Sequence, residues 1–88
     1  MQTTMNLYYK AMAKEPSAKF WCEQLGVSRN TLAVAKIRGR LSPTVAGNLA
    51  RLLGEDEKTW IAVSAIEGEP NSYGKNKLLS IAGQWLNT

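Results

Sequence analysis

The 88-residue sequence has no histidine and a single cysteine, Cys22. Ordinary zinc sites need several Cys and His ligands, so none can be built here, and one cysteine cannot form an intrachain disulfide. Without histidine or a glycine-rich phosphate loop, the sequence offers no nucleophile–base pair typical of an enzyme. The acidic run of Glu55, Asp56 and Glu57 is explained by the favourable charge of carboxylates at the start of a helix. We therefore expect neither catalysis nor a cofactor.

Long apolar runs are also missing. No uninterrupted run exceeds four residues, as in Trp60 to Val63, whereas a helix that crosses a membrane needs roughly 20. The N-terminus lacks the basic and apolar segments of a signal peptide, and a lone cysteine fits a reducing compartment. We expect a cytoplasmic protein without membrane contact, which forms one small domain with a modest core.

Acidic residues are absent from the middle of the chain. There is none between Glu23 and Glu55, whereas this span holds five of the eleven Lys and Arg residues. The formal net charge is only +4, so the location of the positive charge is more informative than its total. A basic segment without carboxylates attracts the phosphate backbone of nucleic acids. The same charges also occur on ordinary solvated helices.

The apolar pattern predicts an all-α fold, because no alternating Val, Ile and Thr run indicates a strand. Residues that start and stop helices divide the chain into six predicted helices. These are a first helix from Thr3 or Thr4 to about Lys14, a second from Ala18 to Leu25 capped by Ser17, a third from Arg29 to about Arg38, a fourth that starts at Ser42-Pro43, a fifth that starts at residues 55–57, and a sixth after a turn-rich linker, 68–76. In the first helix, the spacing of Met5, Tyr8, Tyr9 and Met12 predicts a buried stripe.

The segment from Phe20 to Arg40 predicts two short helices joined by a tight turn, which is the helix-turn-helix arrangement. Gly26 suits the left-handed conformation that ends a helix, and Ser28 is a candidate N-cap for the next one. Leu32 and Ala35 are predicted to face the core.

Residues on the outer side of the third helix have chemistry suited to DNA. Arg29 and Asn30 have side chains that can form paired hydrogen bonds with guanine and adenine edges, respectively. Ala33 and Val34 suit contact with a thymine methyl group. Arg38 and Arg40 flank Gly39 and are natural phosphate contacts.

The sequence GVSRNTL, after a helix that ends in CEQL, resembles the helix-turn-helix of the Cro and lambda-repressor class of bacterial and phage transcription regulators. The likeness covers roughly residues 4–67 and implies a five-helix DNA-binding domain, 1–67. Residues 68–88, a turn-rich linker and an additional helix, lie outside it, and we expect them to pack on the same domain or on a dimer partner. It implies a repressor-like homodimer that binds double-stranded DNA through a recognition helix at about 28–38 in the major groove. The expected DNA-binding residues are Ser17, Ser28, Arg29, Asn30, Ala33, Val34, Lys36, Arg38 and Arg40.

Two features differ from the pattern of that class. Ala35 stands where an aromatic or large apolar residue is usual, and the interval from Gly26 to Gly39 is one residue longer. The added residue leaves open which of Ala33, Val34, Lys36 and Ile37 faces the groove.

Apolar residues near the C-terminus provide a candidate dimer surface: Trp60, Ile61, Val63, Ile66, Leu78, Leu79 and Trp85. Alternatively, they complete the core of a small domain. A second hypothesis for function is a protein-binding adaptor or antirepressor that uses residues 55–88 and makes no DNA contact.

Overall fold

The computed structural model describes residues 3–86, with the side chains of residues 3–84. Over this range the chain forms six helices and no strand, which confirms the all-α prediction: α1 (Thr4–Lys14), α2 (Ala18–Leu25), α3 (Thr31–Arg38), α4 (Pro43–Leu52), α5 (Glu57–Glu67) and α6 (Tyr73–Leu86). None of these helices has both the length and the apolar character needed to cross a membrane.

The starts of α2, α4 and α5 follow from side chains that cap them. Ser17 Oγ accepts a hydrogen bond from the Phe20 N–H at 3.1 Å, and Ser42 Oγ accepts one from the Val45 N–H at 3.4 Å, just before Pro43. The Asp56 carboxylate accepts a hydrogen bond from the Lys58 N–H at 3.2 Å. Because the first N–H groups of a helix have no partner within the helix, such caps fix where it begins.

The buried stripe of α1 is rotated relative to the predicted one. Its buried residues are Thr4, Leu7, Tyr8 and Ala11, whereas Tyr9 is 56% exposed. The prediction for Tyr9 was wrong because a polar residue, Thr4, occupies the core side of the first turn. Its polar groups are hydrogen-bonded there, so its burial carries little penalty.

The linker before α6 is shorter than predicted. Ser72 Oγ accepts a hydrogen bond from the Lys75 N–H at 3.1 Å, and α6 therefore begins at Tyr73. The sequence GEPNSYGKN looks turn-rich as a whole, but its second half forms the first turn of a helix.

Helix α4 lies at the centre of the fold, with α1, α2 and α5 packed against it, and α6 packs on α5. The approach of α4 and α5 is close at Gly47. A Cβ atom at this position would lie 2.7 Å from Ile61 Cγ1 and 2.8 Å from Ile61 Cδ1, well inside van der Waals contact. Ile61 thus covers a site where α4 has no side chain.

Three of the predicted dimer-surface residues lie in the core of their own chain. Trp60 and Leu79 are each only 4% exposed and Val63 is fully buried, together with Ala82 of α6. The prediction was wrong for these three residues because α5 packs on α4 and α6 packs on α5, so their side chains join the core of their own chain.

The remaining members of that set have different surroundings. Ile61 and Leu78 are 43% and 47% exposed, and Ile66 is half-buried against the core. The Trp85 side chain falls outside the described part of the chain.

A chain of buried hydrogen bonds joins α1, the α3–α4 loop and α5. Leu41 in that loop donates its N–H to Thr4 Oγ1 at 2.8 Å, and its carbonyl accepts from Ser64 Oγ at 2.6 Å. The Thr4 N–H in turn donates to Glu67 Oε1 at 2.7 Å. Both polar backbone groups of a fully buried loop residue are thereby satisfied.

Burial raises the pKa of the Glu67 carboxyl above its ordinary value of 4.5, and this effect outweighs the hydrogen bonds from Thr4 and the nearby positive charges of Arg40 and Lys75. The native state therefore binds this proton more tightly than the unfolded chain does. The resulting contribution to stability is fully present below the unfolded value of 4.5. It is lost as the pH rises through the higher native pKa.

Ser64→Ala should lower the free energy of unfolding by about 1–3 kcal/mol, because it leaves the buried Leu41 carbonyl without a partner. Urea denaturation at neutral pH measures the change. Ser80→Ala is the matched control, since Ser80 is an exposed serine in a helix. Equal midpoints for the two variants would contradict the structural role of Ser64.

Glu67→Gln removes the titrating proton and keeps a side-chain oxygen that can accept from the Thr4 N–H. Relative to the unchanged protein, the variant should gain stability as the pH rises from 4.5 to neutrality, because only the unchanged protein must ionise a partly buried carboxyl. Denaturation curves across this pH range provide the measurement. Parallel pH profiles would show that Glu67 does not carry the predicted effect.

Candidate nucleic-acid interface

The turn between α2 and α3 is closed by backbone hydrogen bonds around Gly26. Gly26 has φ of 68° and ψ of 31°, as predicted. The Gly26 N–H bonds the Glu23 carbonyl at 3.2 Å, and the Val27 N–H bonds the Cys22 carbonyl at 3.1 Å. This pattern is the Schellman motif, which reverses the chain direction directly after a helix.

The third helix begins two residues later than predicted, at Thr31. The Thr31 N–H bonds the Ser28 carbonyl at 3.1 Å, and the Ser28 hydroxyl lies 3.0 Å from the Thr31 hydroxyl. Ser28 is therefore not the N-cap; Asn30 occupies that position and makes no side-chain capping bond. The expected 28–38 helix was wrong in its first turn because Ser28 uses its carbonyl and hydroxyl to close a separate turn.

That turn is fixed against the buried side of α2. The Cys22 Sγ lies 3.8 Å from the Arg29 carbonyl oxygen, and Cys22 itself is 2% exposed. A thiol is a weak hydrogen-bond donor. The contact therefore mainly places the Arg29 backbone against α2. The Arg29 side chain is left exposed.

Helix α3 separates a narrow buried side from a broad exposed one. Leu32 and Ala35 are buried, as predicted. Since Ala35 is small, α3 reaches the core through few side-chain atoms. The positions left open by the sequence are all exposed: Ala33, Val34, Lys36 and Ile37.

Some predicted DNA-binding residues line one groove. Asn30, Val34 and Arg38 recur at every fourth position and, with Ser28, border a groove of about 280 Å³. Its lining also includes Thr31 of α3, and Ser42 and Val45 at the start of α4. Sequence reasoning did not place Thr31 or Ser42 at this groove. The three-residue spacing from Ser28 to Thr31, typical of hydroxyl-bonded turns, was the available signal for Thr31.

The structure does not bring all predicted site residues into that groove. Arg29, Ala33 and Lys36 are exposed but are not among its lining residues. Ser17 lies at the start of α2, where its hydroxyl oxygen already caps the helix.

The Arg40 side chain forms a hydrogen bond within the chain and also remains exposed. Its Nη1 donates to the Glu67 carbonyl at 3.4 Å and lies 3.1 Å from the position a Cβ would take on Gly68. With Arg38 and Ser42, it lines a second groove of about 210 Å³. Arg40 is therefore held at the C-terminal end of α5 while remaining exposed.

The positive charges of α3 and of the turn before it have no ion-pair partner in the described part of the chain. Among the side chains that the structure describes, Lys10 and Glu55 form the one salt bridge, at 3.0 Å. Arg29, Lys36 and Arg38 thus have no described carboxylate within 4.0 Å. Their fields are directed into solvent, where they are available to an anionic partner.

No protein-family model, curated protein or solved structure matches this chain. Among the described residues, no group of three or more His, Cys, Asp or Glu side chains is placed to hold a metal ion. What the site can do must therefore follow from its own geometry and charge.

Gly26→Ala should lower stability by about 1–2 kcal/mol, because a left-handed backbone disfavours any Cβ. No atom within 4 Å would clash with the added methyl group, so backbone strain alone sets the cost. Gly74→Ala is the matched control. Gly74 lies in α6 without a positive φ, and its added Cβ would meet only Ser72 Oγ at 4.0 Å, so stability should rise by up to about 1 kcal/mol. A Gly26→Ala variant as stable as the control would contradict the strained turn.

Proposed function

We propose that this protein is a sequence-specific double-stranded DNA-binding regulator, repressor-like in action, in which α2 and α3 act as a helix-turn-helix. The proposal includes the resemblance to the Cro and lambda-repressor class. The observation that carries it is the exposed surface of α3 and of the turn before it, where Arg29, Lys36 and Arg38 have no carboxylate partner among the described side chains. A helix with such a surface fits the major groove, which is about 12 Å wide.

Each residue has a separate role in the proposed complex. Arg29 and Asn30, at the N-terminal entrance of α3, donate and accept hydrogen bonds at base edges. Neither side chain is occupied in capping α3. Arg38 and Ser28 contact phosphates, which position the helix without specifying sequence. Arg40 adds positive charge from its position beside the Glu67 carbonyl.

The length of α3 supports a paired binding mode. Its eight residues extend about 12 Å at a rise of about 1.5 Å per residue. Base pairs are stacked about 3.4 Å apart, so one such helix spans about three or four of them. So few base pairs give limited affinity and specificity. Two copies bound to half-sites about 34–36 Å apart would increase both. Ile61 and Leu78 are the exposed residues left as candidates for contact between the copies.

Selection of duplexes from a random-sequence pool tests the proposal directly. The full chain should enrich a motif with two-fold symmetry. Arg29→Ala should weaken binding to that duplex by about 1–3 kcal/mol and relax the base preference at one position. Titration of labelled duplex at several salt concentrations provides the measurement.

Two further variants sharpen the result. Arg38→Ala should weaken binding to all sequences alike and reduce the salt slope by about one. Lys77→Ala removes an exposed lysine of α6 and should leave base preference and salt slope unchanged. Failure to enrich any duplex at low salt would overturn the proposal.

The second candidate function is a protein-binding adaptor. A groove of about 570 Å³ between α5 and α6 favours it, since the groove is lined in part by the apolar residues Ala65, Ile66 and Leu78. If regulation in the cell survives the combined change of Arg29 and Asn30 to alanine, the adaptor function is the correct one.

A further inference from the structure

The most exposed large apolar side chain on α3 is Ile37, at 86%. Val34, three residues earlier, is 41% exposed, and Ala33, four residues earlier, is also exposed. Residues three and four apart lie next to one another on a helix surface. Ala33, Val34 and Ile37 therefore form one apolar ridge, and we use the term α3 ridge for these three residues.

The surroundings of the α3 ridge indicate the kind of partner it fits. Arg29, Lys36 and Arg38 lie around it, and none of them pairs with a carboxylate in residues 3–84, whose side chains the structure describes. A second copy placed ridge to ridge would bring these like charges together, which is unfavourable. A polyanion with a small apolar group at its surface is complementary to both features.

DNA offers one such group in the major groove. The C5-methyl of thymine is apolar and projects from the base edge, whereas the other edge atoms are hydrogen-bond donors or acceptors. The ridge lies on the helix that directly follows Arg29 and Asn30, the residues proposed to contact bases.

We propose that the α3 ridge recognises thymine methyl groups and that Ile37 makes the largest contribution. This inference rests on the proposed DNA-binding function and adds the base type that the helix selects. Each methyl group covered by the ridge is removed from water, so its loss should weaken binding by about fourfold, the effect of one buried methyl-sized group.

The test uses a duplex selected by the full chain from a random pool, made once with thymine and once with deoxyuridine. The two duplexes keep the same base pairs and differ only in the C5-methyl groups. The unchanged protein should bind the deoxyuridine duplex about fourfold more weakly for each methyl contacted. Ile37→Ser should bind the thymine duplex more weakly and lose most of this discrimination.

Tyr73→Ser is the matched control. Tyr73 is 81% exposed on α6, so both variants replace a solvent-facing apolar residue without opening the core. The control should discriminate thymine from deoxyuridine as strongly as the unchanged protein. Urea denaturation of both variants verifies that each is folded, as expected for such exposed positions.

The outcomes separate this inference from the function on which it rests. Equal affinity for the two duplexes, full discrimination by Ile37→Ser, or a selected motif without thymine would overturn the role of the ridge and leave DNA binding intact. If the chain selects no duplex, the proposed function fails and the inference with it.

Discussion

The hydrogen bonds of Leu41 are the constraint on which the arrangement of the helices depends. One loop residue donates to Thr4 of α1 and accepts from Ser64 of α5, while its side chain is fully buried. Water cannot replace either bond at a buried site, so the loop has a single well-defined position. Because Leu41 lies between Gly39, which ends α3, and Ser42, which caps α4, this anchor also fixes the position of the segment from which Arg40 emerges.

Helix α3 is stabilised by the turns at both of its ends and by the packing of one side against the core. With eight residues, it would be marginal as an isolated helix. Gly26 and Gly39 both take left-handed conformations that end the preceding helix sharply, and Leu32 and Ala35 are the positions that reach the core. The exposed side of α3 makes no core contact in the described structure, so its residues are free to suit a binding partner. In the proposed complex, its basic and apolar residues would face the edge of a DNA groove.

Local chemistry made much of this fold predictable. Ser17, Gly26 and Ser42-Pro43 act through backbone bonds to near neighbours, and helix ends predicted from them agree with the structure. The predictions were wrong where contacts with distant parts of the chain determine which residues are buried. The burial of Thr4 depends on the α3–α4 loop and on Glu67, and the burial of Leu79 depends on the return of α6 to α5. The start of α3 was misplaced because Ser28 and Thr31 bond each other. The exposure of Arg29 and Asn30 agrees with the sequence prediction, whereas the groove between α3 and α4 needs the tertiary structure.

The contact of Gly47 with Ile61 has an evolutionary consequence. With no side chain on the α4 surface at that point, the Ile61 side chain lies so close to the Gly47 backbone that a larger residue at 47 requires a smaller or shifted side chain at 61. Sequence drift at either position is therefore coupled. Related chains that carry alanine or serine at 47 are expected to carry alanine at 61, and the pair should vary together while the volume between the helices stays constant.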